Sequence, residues 1–312
     1  MNKSVSVVVP VYKNEGSILK LIEELQLVAF NLKKSFWNLK LCFVIDGSPD
    51  NSEFLLLSER KRLKKEKEWK VVRLSRNYGQ IAAILAGIQL TDENHPVVVM
   101  SADLQDPPKL ILELIREYSK GNDLVILNRV SRDDGFFAKL TSRIAYSILR
   151  IENTSIPDGG FDFFLISGRA KSHLLKLQGR FRFFQGDIVK LGFPTALLSY
   201  HREPRLDGTS SYTFSKRLQI FIDAFLDSSY IPIKLGIRLG LLISFSGMIL
   251  SFFSLFSYFR GESPFSGFTA IFCSILLIGG LQLILIGLIG EYLYRTYDSS
   301  RGRPLYIVEE IF

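Results

Sequence analysis

The sequence predicts an α/β domain built on a mostly parallel, doubly wound sheet, followed by two long apolar helices. Two observations carry this. Over residues 1–210, short apolar runs alternate with helical patterns, the signature of strands crossing over through helices. Beyond that, uncharged runs from Leu239 to Phe259 and from Ser263 to Gly290 are each long enough, as helices, to span about 30 Å.

The elements follow in order. "VSVVVPVY" reads as a first strand, and Glu15 to Phe30 as a helix with Ile18, Leu21, Ile22, Leu25 and Val28 on one face. "LKLCFVID" is the second strand, with a charged helix over Ser52 to Lys67. "WKVVRLS" is the third, with a helix over Gln80 to Leu90. "PVVVMSAD" is the fourth, with a helix over Pro108 to Lys120, and "DLVILNR" is the fifth. In such sheets ligands bind beyond the carboxyl ends of the strands, so the informative residues are those that follow each strand. They are Tyr12, Asn14 and Glu15; Asp46, Gly47, Ser48 and Asp50; Arg76, Asn77 and Gly79; Asp103, Gln105 and Asp106; and Asn128, Arg129 and Arg132. Carboxylates after the first, second and fourth strands, with arginines after the fifth, suit a site for a cation and phosphates.

The chain has 312 residues and a formal net charge of +8, a balance that favours polyanionic partners. A nucleic-acid binder is not expected, because the basic residues do not interleave with aromatics on one face. Cys42 and Cys273, the two cysteines, are far apart and show no disulfide or zinc spacing. The three histidines, His95, His173 and His201, do not cluster. The amino terminus lacks a signal-peptide pattern, since Pro10 breaks its short apolar core.

The two apolar runs are separated by "RGE" and flanking Ser and Pro, which predicts an antiparallel transmembrane hairpin, with spans at about 235–259 and 265–291. Lys216, Arg217, Lys234 and Arg238 precede the first run; Arg295, Arg301 and Arg303 follow the second. By the positive-inside rule this predicts a multi-pass protein of the cell (inner) membrane, with the catalytic domain and both termini cytoplasmic. The expected layout is a catalytic domain over 1–210, a juxtamembrane amphipathic region over 211–232, the helices within 233–294, and a cytoplasmic tail over 295–312. Tyr212 to Asp227, with Phe214, Leu218, Phe221, Ile222 and Phe225 at helical spacing, suits either a membrane surface or packing on the domain.

The ordered motifs "VVPVYKNE", "VIDGSPDNS", "LSRNYGQIAAILAGI", "SADLQDPPKLI", "GGFDFFLIS" and "REPRLDGTSSY" resemble the family 2 glycosyltransferases. More narrowly, the chain resembles the polyprenyl-phosphate members similar to dolichol-phosphate mannose synthase, and "GEYLYRTYDSSRGRPLYIVEE" resembles the endings of bacterial membrane-anchored members. The resemblance implies a GT-A fold, a nucleotide-sugar donor, a polyprenyl (undecaprenyl) phosphate acceptor at a lipid bilayer, and Mg2+ or Mn2+. A UDP-sugar is the favoured donor, with a guanine base left open, as are the sugar and homo-oligomerisation.

On this resemblance Asp103 and Gln105 are the expected metal ligands. Pro10, Tyr12, Glu15, Asp46, Gly79 and Ser101, with Asp103, are expected around the nucleotide sugar. Arg129, Arg132, Arg202, Arg205 and Ser211 are expected at the acceptor phosphate. Asp162 matches the acidic residue near the sugar, as base or as orienting group, and Asp187 is a second candidate. Asp103, Asp162 and Arg205 form the expected catalytic set. Asp106 and Pro107 are expected to shape a turn and start a helix. Two positions depart from the family: Ser101 stands where many members have Asp, and Ile45 where they have Asp or Asn. Loss of the first carboxylate leaves more of a cation's coordination to the diphosphate. It also leaves open an alternative, a non-catalytic membrane-anchored homologue that binds nucleotide sugars or partners.

The acceptor monophosphate, with a second pKa of about 6, is mostly a dianion at neutral pH and needs little help from a base. The chain has no Q-x-x-R-W motif of the processive synthases, which favours a single transfer onto a lipid carrier, and a single displacement at the anomeric carbon inverts its configuration.

Overall fold

The computed structural model describes residues 3–129, 160–177, 183–200, 231–260 and 267–312. The chain divides into two compact units, Met1–Phe225 with Pro304–Phe312, and Leu226–Arg303.

In the first unit, strands β1 (Lys3–Val11), β2 (Trp37–Ile45), β3 (Trp69–Leu74), β4 (Val97–Val99) and β5 (Leu124–Arg129) alternate with helices α1 (Glu15–Lys34), α2 (Ser52–Arg62), α3 (Gln80–Leu90) and α4 (Ile111–Ser119). A short turn of 3-10 helix, Pro108–Leu110, leads into α4. These are the elements the sequence predicts, with small shifts. α1 runs four residues further than expected, to Lys34 rather than Phe30, and α2 stops at Arg62. There Lys64 takes a left-handed φ of 52° in the charged run that follows.

Five further elements are not predicted as such. β6 (Phe164–Ile166), α5 (Gly168–Lys176), α6 (Phe184–Lys190) and β7 (Thr195–Tyr200) complete one side, and β8 (Val308–Ile311) completes the other. Among the described residues the sheet has eight strands, in the order β7-β5-β6-β4-β1-β2-β3-β8. β6 runs antiparallel between β4 and β5, and β8 runs antiparallel to β3; the other pairings are parallel.

Both faces of the sheet are covered, which explains the near-continuous apolar strands. In β1, Val5, Val7, Val9 and Val11 pack with Ile18, Leu21, Leu25 and Val28 of α1 and with Leu114 of α4. Val8 points the other way, into a cluster with Ala83, Ile84 and Ile88 of α3. Each fully buried side chain of this size contributes about 1.5–3 kcal/mol. α3 lies close on β1 because Gly87 has no side chain; a Cβ there would meet Val8 Cγ1 at 2.3 Å. Pro10 is tolerated because its ring nitrogen faces the β4 side, beyond the last β1 residue that pairs with β4, Val8.

The second unit holds α7 (Ile231–Phe259) and α8 (Gly267–Ser300). Here the sequence expectation of transmembrane helices needs correction. Among the described residues no helix is long and apolar enough to cross a membrane. The multi-pass placement in the cell membrane, with its cytoplasmic termini, is overturned with it.

Candidate active site

The carboxyl edge of the sheet collects most of the predicted site residues whose placement is described. β1 and β4 are neighbours although β2 and β3 intervene in sequence, so the direction of strand addition reverses between them. A crevice at such a reversal is where open α/β sheets bind ligands. The two loops flanking it are tied together, because the Ser17 hydroxyl at the start of α1 donates to the Ala102 carbonyl at 2.7 Å.

On the β2 side of the crevice the loops are held by carboxylates. Asp46 follows β2 and is 3% exposed. Its two oxygens accept the backbone N–H groups of Tyr78 at 2.7 Å and Gly79 at 2.9 Å. Burial pushes its carboxyl above the usual range, and the two N–H donors offset this only in part. Asp46 thus anchors the loop after β3, in the group expected around the nucleotide. Gly47, at φ 58°, lets that loop approach: a Cβ would lie 2.4 Å from the Asn77 nitrogen.

Asp50 binds the next layer. It accepts the Ser48 hydroxyl at 2.5 Å, the Ser52 hydroxyl at 2.8 Å, and the backbone N–H groups of Glu15 at 3.0 Å and Ser52 at 3.3 Å. Burial raises its pKa, but these donors outweigh it and hold the carboxyl below the usual range. Ser48 in turn accepts the Lys13 N–H at 2.7 Å, and Ser52 the Asn14 N–H at 3.2 Å. Glu15 reaches back, its carboxylate accepting from the Asn51 backbone and side chain at 3.2 and 2.9 Å. Tyr12 is 39% exposed beside this network.

Across the crevice, the loop after β4 carries Ser101, Asp103 and Gln105, all partly buried. Between the last two sits Leu104, a buried leucine with a left-handed φ of 57°. A bulky residue in that region is strained by about 1–2 kcal/mol, and its side chain is fixed in the main core. Asp103 Oδ1 accepts the Gln105 N–H at 3.3 Å. No group of three or more His, Cys, Asp or Glu able to hold a metal is present among the described residues. The donor set nevertheless fits Mg2+ or Mn2+ in one particular way. One carboxylate and one carboxamide are hard oxygen donors, and such ions are commonly held by one or two carboxylates plus substrate phosphates.

Asp106 is not merely a turn residue. It is fully buried and accepts a hydrogen bond from the Tyr200 hydroxyl at the end of β7.

Asp162 reaches the same edge because β6 runs backwards. Phe164 pairs with both Val99 and Ile126, so the residues just before it lie at the carboxyl ends of β4 and β5. The side chain of Gln185 on α6 donates to the Phe161 carbonyl at 2.6 Å, tying the helix that carries Asp187 to the segment that carries Asp162. Phe161, Phe163 and Phe164 are core residues, each no more than 1% exposed. Arg129 ends β5, paired in register with Tyr200. Arg132, Arg202, Arg205 and Ser211 lie outside the described residues.

Sequence reasoning missed the Ser17–Ala102, Asp106–Tyr200 and Gln185–Phe161 links. Only the Asp50 network carried a local signal, the hydroxyl–acid–hydroxyl spacing of "SPDNS".

Comparison with known proteins agrees with this geometry. The family model described as glycosyl transferase family 2 matches residues 6–174. The chain is 34% identical to "Uncharacterized glycosyltransferase YkcC" of Bacillus subtilis, over 98% of this chain and 94% of that one. It is 32% identical to the undecaprenyl-phosphate 4-deoxy-4-formamido-L-arabinose transferase of Pectobacterium atrosepticum, over 99% and 93% of the two chains. Among solved structures, glucosyl-3-phosphoglycerate synthase from Mycobacterium tuberculosis, crystallised with Mn2+, UDP-glucose and phosphoglyceric acid, superposes with a TM-score of 0.52. It shares 17% identity, over 72% of this chain and 78% of that one, a likeness of fold.

Proposed function

Because the chain belongs to glycosyl transferase family 2, we propose that it moves one sugar, with inversion, from a nucleotide-sugar donor to a polyprenyl phosphate. The order of groups along the carboxyl edge of the sheet supports this reading most. From one side to the other stand the ends of β7 and β5 with Arg129, then Asp162, then Asp103, then the Asp46–Asp50 loops. Acceptor phosphate, sugar, diphosphate and nucleoside form the same linear order in a direct displacement. The acceptor class comes from the similar transferase that carries undecaprenyl phosphate in its name.

In this mechanism the loops held by Asp46 and Asp50 receive the nucleoside, with Tyr12, Glu15 and Gly79 around it. Asp103 and Gln105 would hold Mg2+ or Mn2+, which supplies charge neutralisation for the departing diphosphate. Ser101 leaves Asp103 as the one carboxylate of its Ser-Ala-Asp motif, so more of a bound ion's coordination would fall to the diphosphate. Asp162 orients the sugar, since the acceptor dianion is already nucleophilic. Arg129, Arg132, Arg202, Arg205 and Ser211 bind that dianion, the guanidiniums in bidentate fashion. UDP is the favoured nucleotide.

The competing reading, a non-catalytic binding homologue, drew on Ser101 and Ile45. Ile45 is 1% exposed within the main core, so that departure changes packing and not the loop. The deciding experiment incubates purified protein with labelled nucleotide sugars, undecaprenyl phosphate and Mg2+ in detergent. Labelled glycolipid is expected from the wild type and none from Asp103→Asn. Donor binding by the wild type without any glycolipid would leave the binding homologue as the better reading.

A further inference from the structure

Resting on the transferase reading above, we propose that the Tyr200–Asp106 hydrogen bond is a positioning link. It sets the spacing between the loop that carries Asp103 and Gln105 and the β5–β7 end of the sheet.

Three observations converge on this contact. The first is its reach. The two residues are 94 positions apart, and β5 and β6 stand between β7 and β4 in the sheet. The loop after β4 is therefore bonded to a strand that is not its neighbour. The second is its burial. Asp106 is fully buried and Tyr200 is 6% exposed, and a polar pair so enclosed is costly to desolvate. Packing alone would be served by phenylalanine and an apolar partner. The third is what the link joins. Asp106 directly follows Gln105, and Leu104, one residue further back, is pinned in the core with a strained backbone. Tyr200 is in register with Arg129 at the end of β5, and two residues later the sequence reaches Arg202. The bond thus fixes the donor-phosphate loop to the strand ends from which the acceptor-binding arginines follow in sequence. Reacting groups in a direct displacement must be held to within a few tenths of an ångström, so a released link lowers turnover more than it lowers donor binding.

The test uses the full chain with Tyr200→Phe, Asp106→Asn, Asp106→Leu and the Tyr200→Phe/Asp106→Leu double variant. Tyr200→Phe is expected to lower kcat for glycolipid formation about tenfold or more, with the donor dissociation constant unchanged within about twofold. Asp106→Asn, which keeps an oxygen acceptor for the tyrosine, should restore turnover to within about twofold of wild type. The double variant should be no slower than the slower single variant. Hydrogen exchange is followed alongside and does not depend on activity. Tyr200→Phe should speed exchange over residues 101–106 and leave 46–52 unchanged. Wild-type turnover in Tyr200→Phe overturns the link, as does an equal loss of donor affinity. If the wild type makes no glycolipid, the transferase reading falls. The exchange result then decides the link alone, and unchanged exchange at 101–106 overturns it.

Discussion

Asp50 and Glu15 cap each other's helices. The Asp50 carboxylate accepts the backbone N–H of Glu15, the first residue of α1, and the Glu15 carboxylate accepts the backbone N–H of Asn51, which leads into α2. Each side chain satisfies donors that its partner's helix leaves open at its start. The loops after β1 and β2, which line one wall of the crevice, are thereby locked together.

Replacing Asp50 with alanine should cost about 1 kcal/mol or slightly more, the usual effect of a lost helix cap. Thermal unfolding should shift down by about 2–4 °C. Donor KM should rise in the same variant, because Tyr12 and Glu15 lie in the loop it releases. An unchanged melting temperature would show that Ser48 and Ser52 hold the loops without it.

The same residue predicts a pH dependence. Its folded pKa lies below the ordinary 3.8, so its contribution is present above that value and is lost as pH falls through the depressed one. The stability gap between wild type and Asp50→Asn, measured by urea titration, should be full at neutral pH and close in acid. Asp46 has the opposite sign. Its raised pKa favours the folded state below the ordinary value, and that advantage is lost as pH rises through the folded value.

Two glycines separate strain from collision. Gly47 and Gly79 both have positive φ, 58° and 96°, but a Cβ at Gly47 would strike the backbone of Arg76 and Asn77 whereas one at Gly79 meets nothing within 4 Å. Gly79→Ala should cost about 1–3 kcal/mol of backbone strain. Gly47→Ala should cost more, and should also weaken donor binding by displacing residues 76–79. Equal stability losses in the two variants would contradict the close approach.

Asp46→Ala removes both acceptors from the Tyr78 and Gly79 N–H groups. Donor affinity, read by calorimetry with a nucleoside diphosphate, should fall about tenfold. Asp46→Asn should retain part of it through the remaining oxygen. Full affinity in the alanine variant would remove Asp46 from any role in the nucleotide loops.

The first five strands and four helices were legible because each is long, strongly periodic or, like the valines of β4, an apolar run that ends in turn residues. Ile18, Leu21, Ile22, Leu25 and Val28 mark α1 unambiguously, and the valine runs mark buried strands. β6, with only Phe-Leu-Ile, was hidden between other buried phenylalanines. β7 exposes alternate residues, and β8 reads Val-Glu-Glu-Ile, so neither has the pattern of a strand buried on both faces. The positions of Asp103, Asp46 and Asp162 were named from ordered motifs. Why Asp162 belongs to the edge was not legible, because that depends on the reversed direction of β6. The buried Asp106–Tyr200 pair was invisible for a similar reason: nothing local relates residues 94 positions apart. The membrane-span expectation rested on uncharged runs alone, and among the described residues no helix is long and apolar enough to cross a membrane.

β8 carries a consequence for biosynthesis. Its Glu310 meets Arg73 across 237 positions of chain, and Val308–Ile311 cover the outer edge of β3. As the polypeptide emerges from the ribosome, β3 is made long before its partner, so its outer backbone groups wait bare through the translation of both long helices. Until Val308–Ile311 is made, that edge is satisfied by water alone and is open to pairing with another chain.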